Sequence, residues 1–244
     1  ISAIPRCSKK EARIAGWLET WAMQAGYSVR KDKAGNLCIT LPASPGSEGA
    51  PVIVIQGHLD MVCVKTENAG HNFDTDPIRP VIKHDWLTAE QTTLGADNGI
   101  AIAMALALAE TGQIKRPPIE LLFTVDEESG LIGAGKMETG FVSGKILLNL
   151  DSEEEGEFTV GCAGGQDTLL SRPFDTSSLP GNHSNWHLSV QGLRGGHSGI
   201  DIAKHRGSAN KLLARGLYAL NRKLPLRLVS IDGGLTHNAI ARDA

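Results

Sequence analysis

The chain has no surplus of positive charge, no membrane-length apolar run and no closely spaced cysteine pair, and each absence removes a class of function. Its formal net charge is −3. No basic patch accompanies that balance, which argues against nucleic acid as the main partner. The longest apolar run, around residues 100–109, is too short to cross a bilayer, and no signal peptide opens the chain. Membrane partners are therefore not expected. Its four cysteines, Cys7, Cys38, Cys63 and Cys162, are scattered without CxxC spacing. That usage suits a reducing cytoplasm better than a disulfide framework. Internal repeats and low-complexity tracts are lacking too.

What remains is an ordinary globular composition, 41% hydrophobic and 21% charged, which rules out a disordered chain. The 244 residues suffice for one large domain or two of ordinary size. The chain starts at Ile1 without Met and reaches Ala244 inside a strand-like pattern, so a longer protein is expected.

Residues 52–62, VIVIQGHLDMV, organise the rest. The β-branched run Val52-Ile53-Val54-Ile55 reads as a buried strand. It leads into His58 and Asp60, whose i, i+2 spacing puts them on one side of a strand end. Ahead of it, Ser8-Lys9-Lys10-Glu11 has the capping-box pattern. Ile14, Trp17, Leu18, Trp21 and Ala25 then recur at helical spacing up to Gly26. A strand follows Gly35-Asn36. Residues 64–93 form a long polar excursion with a short strand at Val81-Ile82, and loops of that length are usually functional. Leu94-Gly95-Ala96-Asp97-Asn98-Gly99 opens an Ala-rich helix over 100–110, apolar enough to be buried. Strands are predicted over 119–125 and 145–150, with a short helix over 131–137 between them. This alternation predicts a layered α/β sheet. Phe158-Thr159-Val160 and Thr168-Leu169-Leu170 read as edge strands. The polar stretch 179–185 is a domain boundary, giving domains 1–183 and 184–244. The second carries strands over 186–190, 227–231 and from 236 onward, with a helix over 208–221.

Three further apolar runs end in acids: Asp97, the pair Glu127-Glu128, and Asp151. Taken singly, each has a plainer explanation. Asp97-Asn98-Gly99 fits a helix cap and turn. Glu127-Glu128 fits the acidic start of a helix. Asp151 with the acids that follow fits a solvated loop. Jointly they put one His and several carboxylates at strand ends, where open α/β sheets bind ligands. That set offers His58, Asp97, Glu128 and Asp151 as metal ligands, Glu127 as general base, and Asp60 as the acceptor that fixes the His58 ring.

The segments GHLDMV, TLGADNGIA, TVDEESG and LLNLDSEEEGEFTVGCAGG, in this order, resemble the cocatalytic zinc exopeptidases of the aminoacylase and carnosinase type. The acidic run followed by GCAGG resembles a dipeptidase branch of that family. The likeness extends over nearly the whole chain. It implies an α/β zinc-exopeptidase catalytic domain, phosphorylase/hydrolase-like, with an inserted α+β lid domain, both incomplete here. It implies two divalent metal ions, zinc with cobalt or manganese as alternatives. His58 and Asp151 would bind one ion, Glu128 the other, and Asp97 would bridge them. Glu127 would take the proton of a metal-bridging water.

The segment Gly195-Gly196-His197-Ser198-Gly199 resembles the lid, where His197 would stabilise an oxyanion. Read without the family, His197 is a residue of a Gly-rich turn. Asn238, in the family's GG-x-x-x-NAIP-like segment, would bind substrate, although Ala241 stands where Pro is usual. The family draws one more His ligand from a segment after the lid, and this chain reaches Ala244 before it. The implied activity is hydrolysis of dipeptides, Xaa-His ones including β-alanyl-histidine, by a cytoplasmic homodimer joined through the lid. A deacylase or carboxypeptidase on the same scaffold is the competing enzyme reading, and a non-catalytic metal-binding homologue is the competing reading from another class.

Overall fold

In the computed structural model of the chain, residues 1–66, 68–152, 155–162, 164, 166, 168–178 and 181–244 are described. They form two compact units, Ile1–Val160 and Gly161–Ala244. The division expected at 183–184 falls by a stretch in which Leu179 and Pro180 lie outside the described residues.

The first unit is built on the predicted strand before His58, β3 (Ile53–His58). It lies between β6 (Ile119–Thr124) and β7 (Ile146–Asn149) and runs parallel to both. On the far side of β6 come β2 (Leu37–Leu41) and β1 (Ser28–Lys31), each antiparallel to its neighbour. The sheet order is β1-β2-β6-β3-β7. Every residue of β6 is buried, so its apolar run serves both faces of the sheet. On one face Leu37, Ile39, Leu121 and Phe123 pack with Ile14 and Leu18 of α1 (Ala12–Gln24) and Ile102 and Ala105 of α2 (Ala96–Glu110). On the other face Cys38, Val54 and Leu122 meet Phe141. Each such Leu or Phe, fully buried, contributes about 1.5–3 kcal/mol of transfer free energy. This packing holds the sheet whose strand ends carry the acids.

Several elements depart from the sequence pattern. The helix α2 buries Ala101, Ile102, Ala105, Leu106 and Ala109 but leaves Ile100 and Met104 more than half exposed. It covers the sheet with one face only. Its first turn is not helical at Asp97 and Asn98, so Asp97 sits in a turn that feeds the helix. The excursion over 64–93 contains a hairpin, β4 (Pro80–Lys83) with β5 (Trp86–Ala89), of which the sequence showed only the first strand. The short helix is α3 (Ile132–Gly135). The capping box does not close. Ser8 Oγ donates to Asp60 instead, and Glu11 Oε1 accepts the N–H groups of Lys9 and Asp126. Cys7 and Cys63 form a disulfide, against the expectation of unpaired thiols. The segment Cys7 belongs to runs beside Met61 in a parallel bridge, which brings the two Cα atoms to 5.7 Å.

No strand forms at 158–160 or 168–170. Phe158, Val160, Leu169 and Leu170 are almost fully exposed, and a strand without a partner has no ladder to stabilise it. In the second unit α4 (Ala209–Asn221) takes the predicted place. The segments 190–198 and 238–244 pair as an irregular antiparallel ribbon, through Val190 with Ala244, Gly196 with Ile240 and Ser198 with Asn238. Residues 227–231 form no strand, and Leu228, Val229 and Ile231 are exposed. Glu153, Glu154, Ala163 and Gly165, part of the acidic run and its GCAGG sequel, lie outside the described residues. No described helix is long and apolar enough to cross a membrane.

Candidate metal centre

His58 ends β3 directly beside Thr124, the last residue of β6. Both strands, and β7 with them, point their C-terminal ends the same way. The residues that follow each strand therefore gather at one edge of the sheet. Gly57 lets α2 come close: a Cβ there would collide with Asn98 Oδ1 and lie 2.7 Å from the Ala101 Cβ. Asn98 uses that approach. Its Oδ1 accepts the His58 backbone N–H at 3.1 Å, and its Nδ2 donates to Leu150 O and Asp151 Oδ1, both at 2.9 Å. One amide thus ties β3, α2 and the segment after β7 together.

The His58 side chain is 1% exposed, and its Nε2 lies 2.9 Å from Asp97 Oδ1, 3.7 Å from Asp151 Oδ1 and 3.8 Å from Glu127 Oε2. Donor atoms of His58, Asp97 and Asp151 lie within 4.8 Å of one another, as do those of His58, Glu127 and Glu128. The four expected ligands and the expected base therefore gather around one imidazole. Adjacent residues of a straight strand would face opposite ways, so Glu127 and Glu128 need a turn. Asp126 supplies it with φ of 51°, and Asp60 fixes it. Asp60 Oδ1 accepts Glu127 N–H at 3.0 Å, and Asp60 Oδ2 accepts Glu128 N–H at 3.2 Å and Ser8 O–H at 2.8 Å.

Asp60 Oδ1 also lies 3.3 Å from His58 Nδ1, close enough for strong attraction. That nitrogen is nevertheless buried without an aligned hydrogen bond. Sequence reasoning gave Asp60 the ring alone; its anchoring of the 127–128 turn, and the parts of Ser8 and Asn98, emerge only in three dimensions. The ADNG segment carried a signal for Asn98, read as a turn residue.

The electrostatics follow from this crowding. Burial alone would depress the His58 pKa, but the close Asp60 carboxylate, the hydrogen bond to Asp97 and the charge of Asp151 prevail and push it up to about 10. Burial, with Asp97 close by, pushes Glu128 up to about 7, and burial raises Glu127 as well. For Asp60, burial is outweighed by His58 and the donors from Glu127, Ser8 and Glu128, which hold it down near 2. An imidazole nitrogen among carboxylate oxygens is the donor set of zinc and similar divalent ions, and a cation there relieves the repulsion among the acids.

A metal ligand must lose its proton. Because His58 holds its proton up to about pH 10 and Glu128 up to about pH 7, metal uptake at neutral pH must release protons. Apparent affinity should therefore rise with pH, by about one decade per pH unit for each proton displaced. The slope should be steeper below pH 7, where Glu128 contributes, than between pH 7 and 8.5, where His58 alone does. Competition with a chromophoric chelator at several pH values measures it, and an affinity independent of pH would contradict these protonation states.

In the second unit, the backbone N–H of His197 donates to Asp201 Oδ2 at 3.0 Å, and its ring Nδ1 accepts the N–H groups of Gly199 and Ile200 at 3.0 and 3.1 Å. A neutral ring that accepts at Nδ1 carries its proton on Nε2. Asn238 sits in a turn next to this one, since its carbonyl accepts Ser198 N–H and Ala239 bridges His197. Ala241, the departure from Pro, is buried and its carbonyl accepts the N–H of Ala209 at the start of α4.

Comparison with known proteins finds peptidases. The profile of Peptidase family M20/M25/M40 matches residues 54–208. The cytosol non-specific dipeptidase of Escherichia coli K12 is 42% identical over 244 residues, all of this chain and 50% of that protein. The crystal structure of aminoacylhistidine dipeptidase from Vibrio alginolyticus superposes with a TM-score of 0.68 at 44% identity, covering 99% of this chain and 49% of that one. A tripeptidase from Staphylococcus aureus shares the fold, with a TM-score of 0.52 at 18% identity over 99% of this chain and 61% of that one. The chain spans about half the length of its dipeptidase relatives.

Proposed function

The chain belongs to the peptidase family M20/M25/M40, and from that starting point we propose that the protein is a metal-dependent dipeptidase. Its substrates would be dipeptides of the Xaa-His type, β-alanyl-histidine among them. The observation that carries this reading is the approach of Asp97, Glu127 and Asp151 to His58 Nε2, with Glu128 in the same cluster. The names of the Escherichia coli and Vibrio relatives support the substrate class.

His58, Asp97, Glu128 and Asp151 would hold two divalent ions, zinc first among them, with Asp97 shared. Bound there, such ions polarise a carbonyl and acidify water. Glu127 takes the proton of the attacking water and returns it to the leaving amine. Asp60 keeps His58 oriented and holds the 127–128 turn in place. Residues 184–244 act as a lid in which His197 donates a hydrogen bond to the developing oxyanion and Asn238 binds substrate. A homodimer through the lid is part of this reading. The Escherichia coli relative is named a cytosol enzyme, which favours a cytoplasmic location for this one.

The test is hydrolysis by the whole protein, stripped with chelator and reloaded with zinc, cobalt or manganese. β-Alanyl-histidine and other dipeptides should be cleaved only after reloading. Cleavage of N-acyl amino acids instead would make it a deacylase, and loss of C-terminal residues from longer peptides a carboxypeptidase. Metal-loaded protein that cleaves none of them would be a binding protein.

A further inference from the structure

Arg6 lies ahead of every segment discussed as a metal ligand and is 97% removed from solvent, at 3% exposure. A guanidinium is rarely buried that deeply without partners for its donors. Here Nη1 donates to Leu59 O at 3.0 Å and Asp60 O at 2.7 Å, and Nη2 donates to Gly95 O. The acceptors belong to two different segments. Leu59 and Asp60 follow His58, while Gly95 comes two residues before Asp97.

The fit around Nη2 is tight on both sides of Asp97. A Cβ on Gly95 or on Gly99 would lie 2.7 Å from Nη2. The glycines that flank Asp97 thus leave room for the Arg6 guanidinium. The Arg6 backbone is fixed as well: its carbonyl accepts Met61 N–H at 3.1 Å, and the next residue is tied to Cys63 by the disulfide. Asp60, Asp97 and Glu128 all lie within its electrostatic reach.

We propose that Arg6 is a positioning residue of the metal centre, which sets the separation of His58 from Asp97 by bonding the carbonyls of Leu59, Asp60 and Gly95 at once. The proposal rests on the metal-centre reading. Its physical content is reach. A planar fork can serve acceptors on two segments, whereas an ammonium concentrates its donors at one point. Arg6 touches no reacting atom; it acts through the backbone that carries two ligands.

The experiment is cobalt titration of the chelator-stripped whole protein, read by visible absorption, for the parent, R6Q, R6K and G99A. R6Q should bind cobalt about 10–100-fold more weakly, the usual cost of losing a group that orients ligands. R6K should not restore the parent affinity. G99A sets a methyl against Nη2 from the helix side while favouring the helix itself, and should weaken binding in the same direction. In metal-free R6Q, amide exchange should quicken at residues 58–61 and 95–98.

A parent protein that takes up no cobalt overturns the metal-centre reading and this proposal with it. A parent that binds cobalt beside a folded R6Q that binds equally well overturns the Arg6 proposal alone, as does full rescue by R6K, which would leave only charge. Where R6Q does not fold, G99A decides: unchanged cobalt affinity overturns the proposal, and weakened affinity with intact helix content supports it.

Discussion

Replacing Glu127 by Gln should slow dipeptide turnover by about 10²–10⁴-fold, the contribution of a positioned general base, and leave the metal in place. The backbone of Glu127 is pinned to Asp60 Oδ1 at 3.0 Å, and its Oε2 lies 3.8 Å from His58 Nε2. Burial raises its pKa, which strengthens it as a base once ionised. Gln keeps the shape and the backbone contact but cannot take a proton. The neighbour provides the contrast. Glu128 feels burial and Asp97 more strongly, reaching about 7, so it gains most from a cation. Its Gln variant should lose metal first and activity as a consequence. Metal content and kcat measured on both variants of the whole protein separate the roles. Loss of metal from E127Q beside an unaffected E128Q would exchange them, and near-normal turnover by E127Q would remove Glu127 from the base role.

Much of this site was legible because strands advertise themselves. An apolar run that stops at an acid marks both a strand and its end, and parallel neighbours bring such ends to one edge. His58, the Glu127-Glu128 pair and Asp151 follow from that pattern, whereas Asp97 reaches the cluster from the turn that opens α2 and not from a strand end. The convergence of both glutamates does not, because it depends on the left-handed backbone at Asp126 and on two N–H groups that find Asp60. Pattern also cannot separate a site carboxylate from a structural one. Glu120, on β6, is buried against Arg30, Ser143 and Gly144 and has no part in the cluster.

What stayed hidden depends on long-range partners. Ser8 and Glu11 have the spacing of a local cap, yet both turn to segments more than fifty residues away. A cap is worth about 1 kcal/mol. Burying Asp60 with a missing donor would cost about as much or more, so the tertiary bond wins. The strand β1 escaped notice because Ser28–Lys31 is a mostly exposed edge with one apolar residue. The opposite error occurred beyond residue 157, where β-rich runs predicted strands. Such runs need a facing ladder, and Leu228, Val229 and Ile231 lie exposed.

His197→Ala should lower kcat by about 10²–10³-fold, the loss typical of one oxyanion donor, with metal content and dipeptide KM little changed. The case rests on how the ring is held. Gly199 and Ile200 give their N–H groups to Nδ1, which leaves the proton on Nε2 and makes that atom a donor. Asp201 braces the turn by accepting the His197 N–H, and is itself paired with Lys204 at 2.7 Å and Arg206 at 2.9 Å. The same bonds would also cap a turn kept only for shape, so the two roles differ in what Nε2 meets. Steady-state kinetics and metal analysis on the whole-protein variant decide between the two. Unchanged kcat would return His197 to a turn residue, whereas lost metal would make it a ligand. If the donor comes from a neighbouring subunit, mixing the impaired E127Q and H197A variants and allowing subunits to exchange should raise activity above that of either alone, because some sites then receive an intact Glu127 and an intact His197. Mixtures that exchange subunits yet gain no activity would place both residues in the same chain's site.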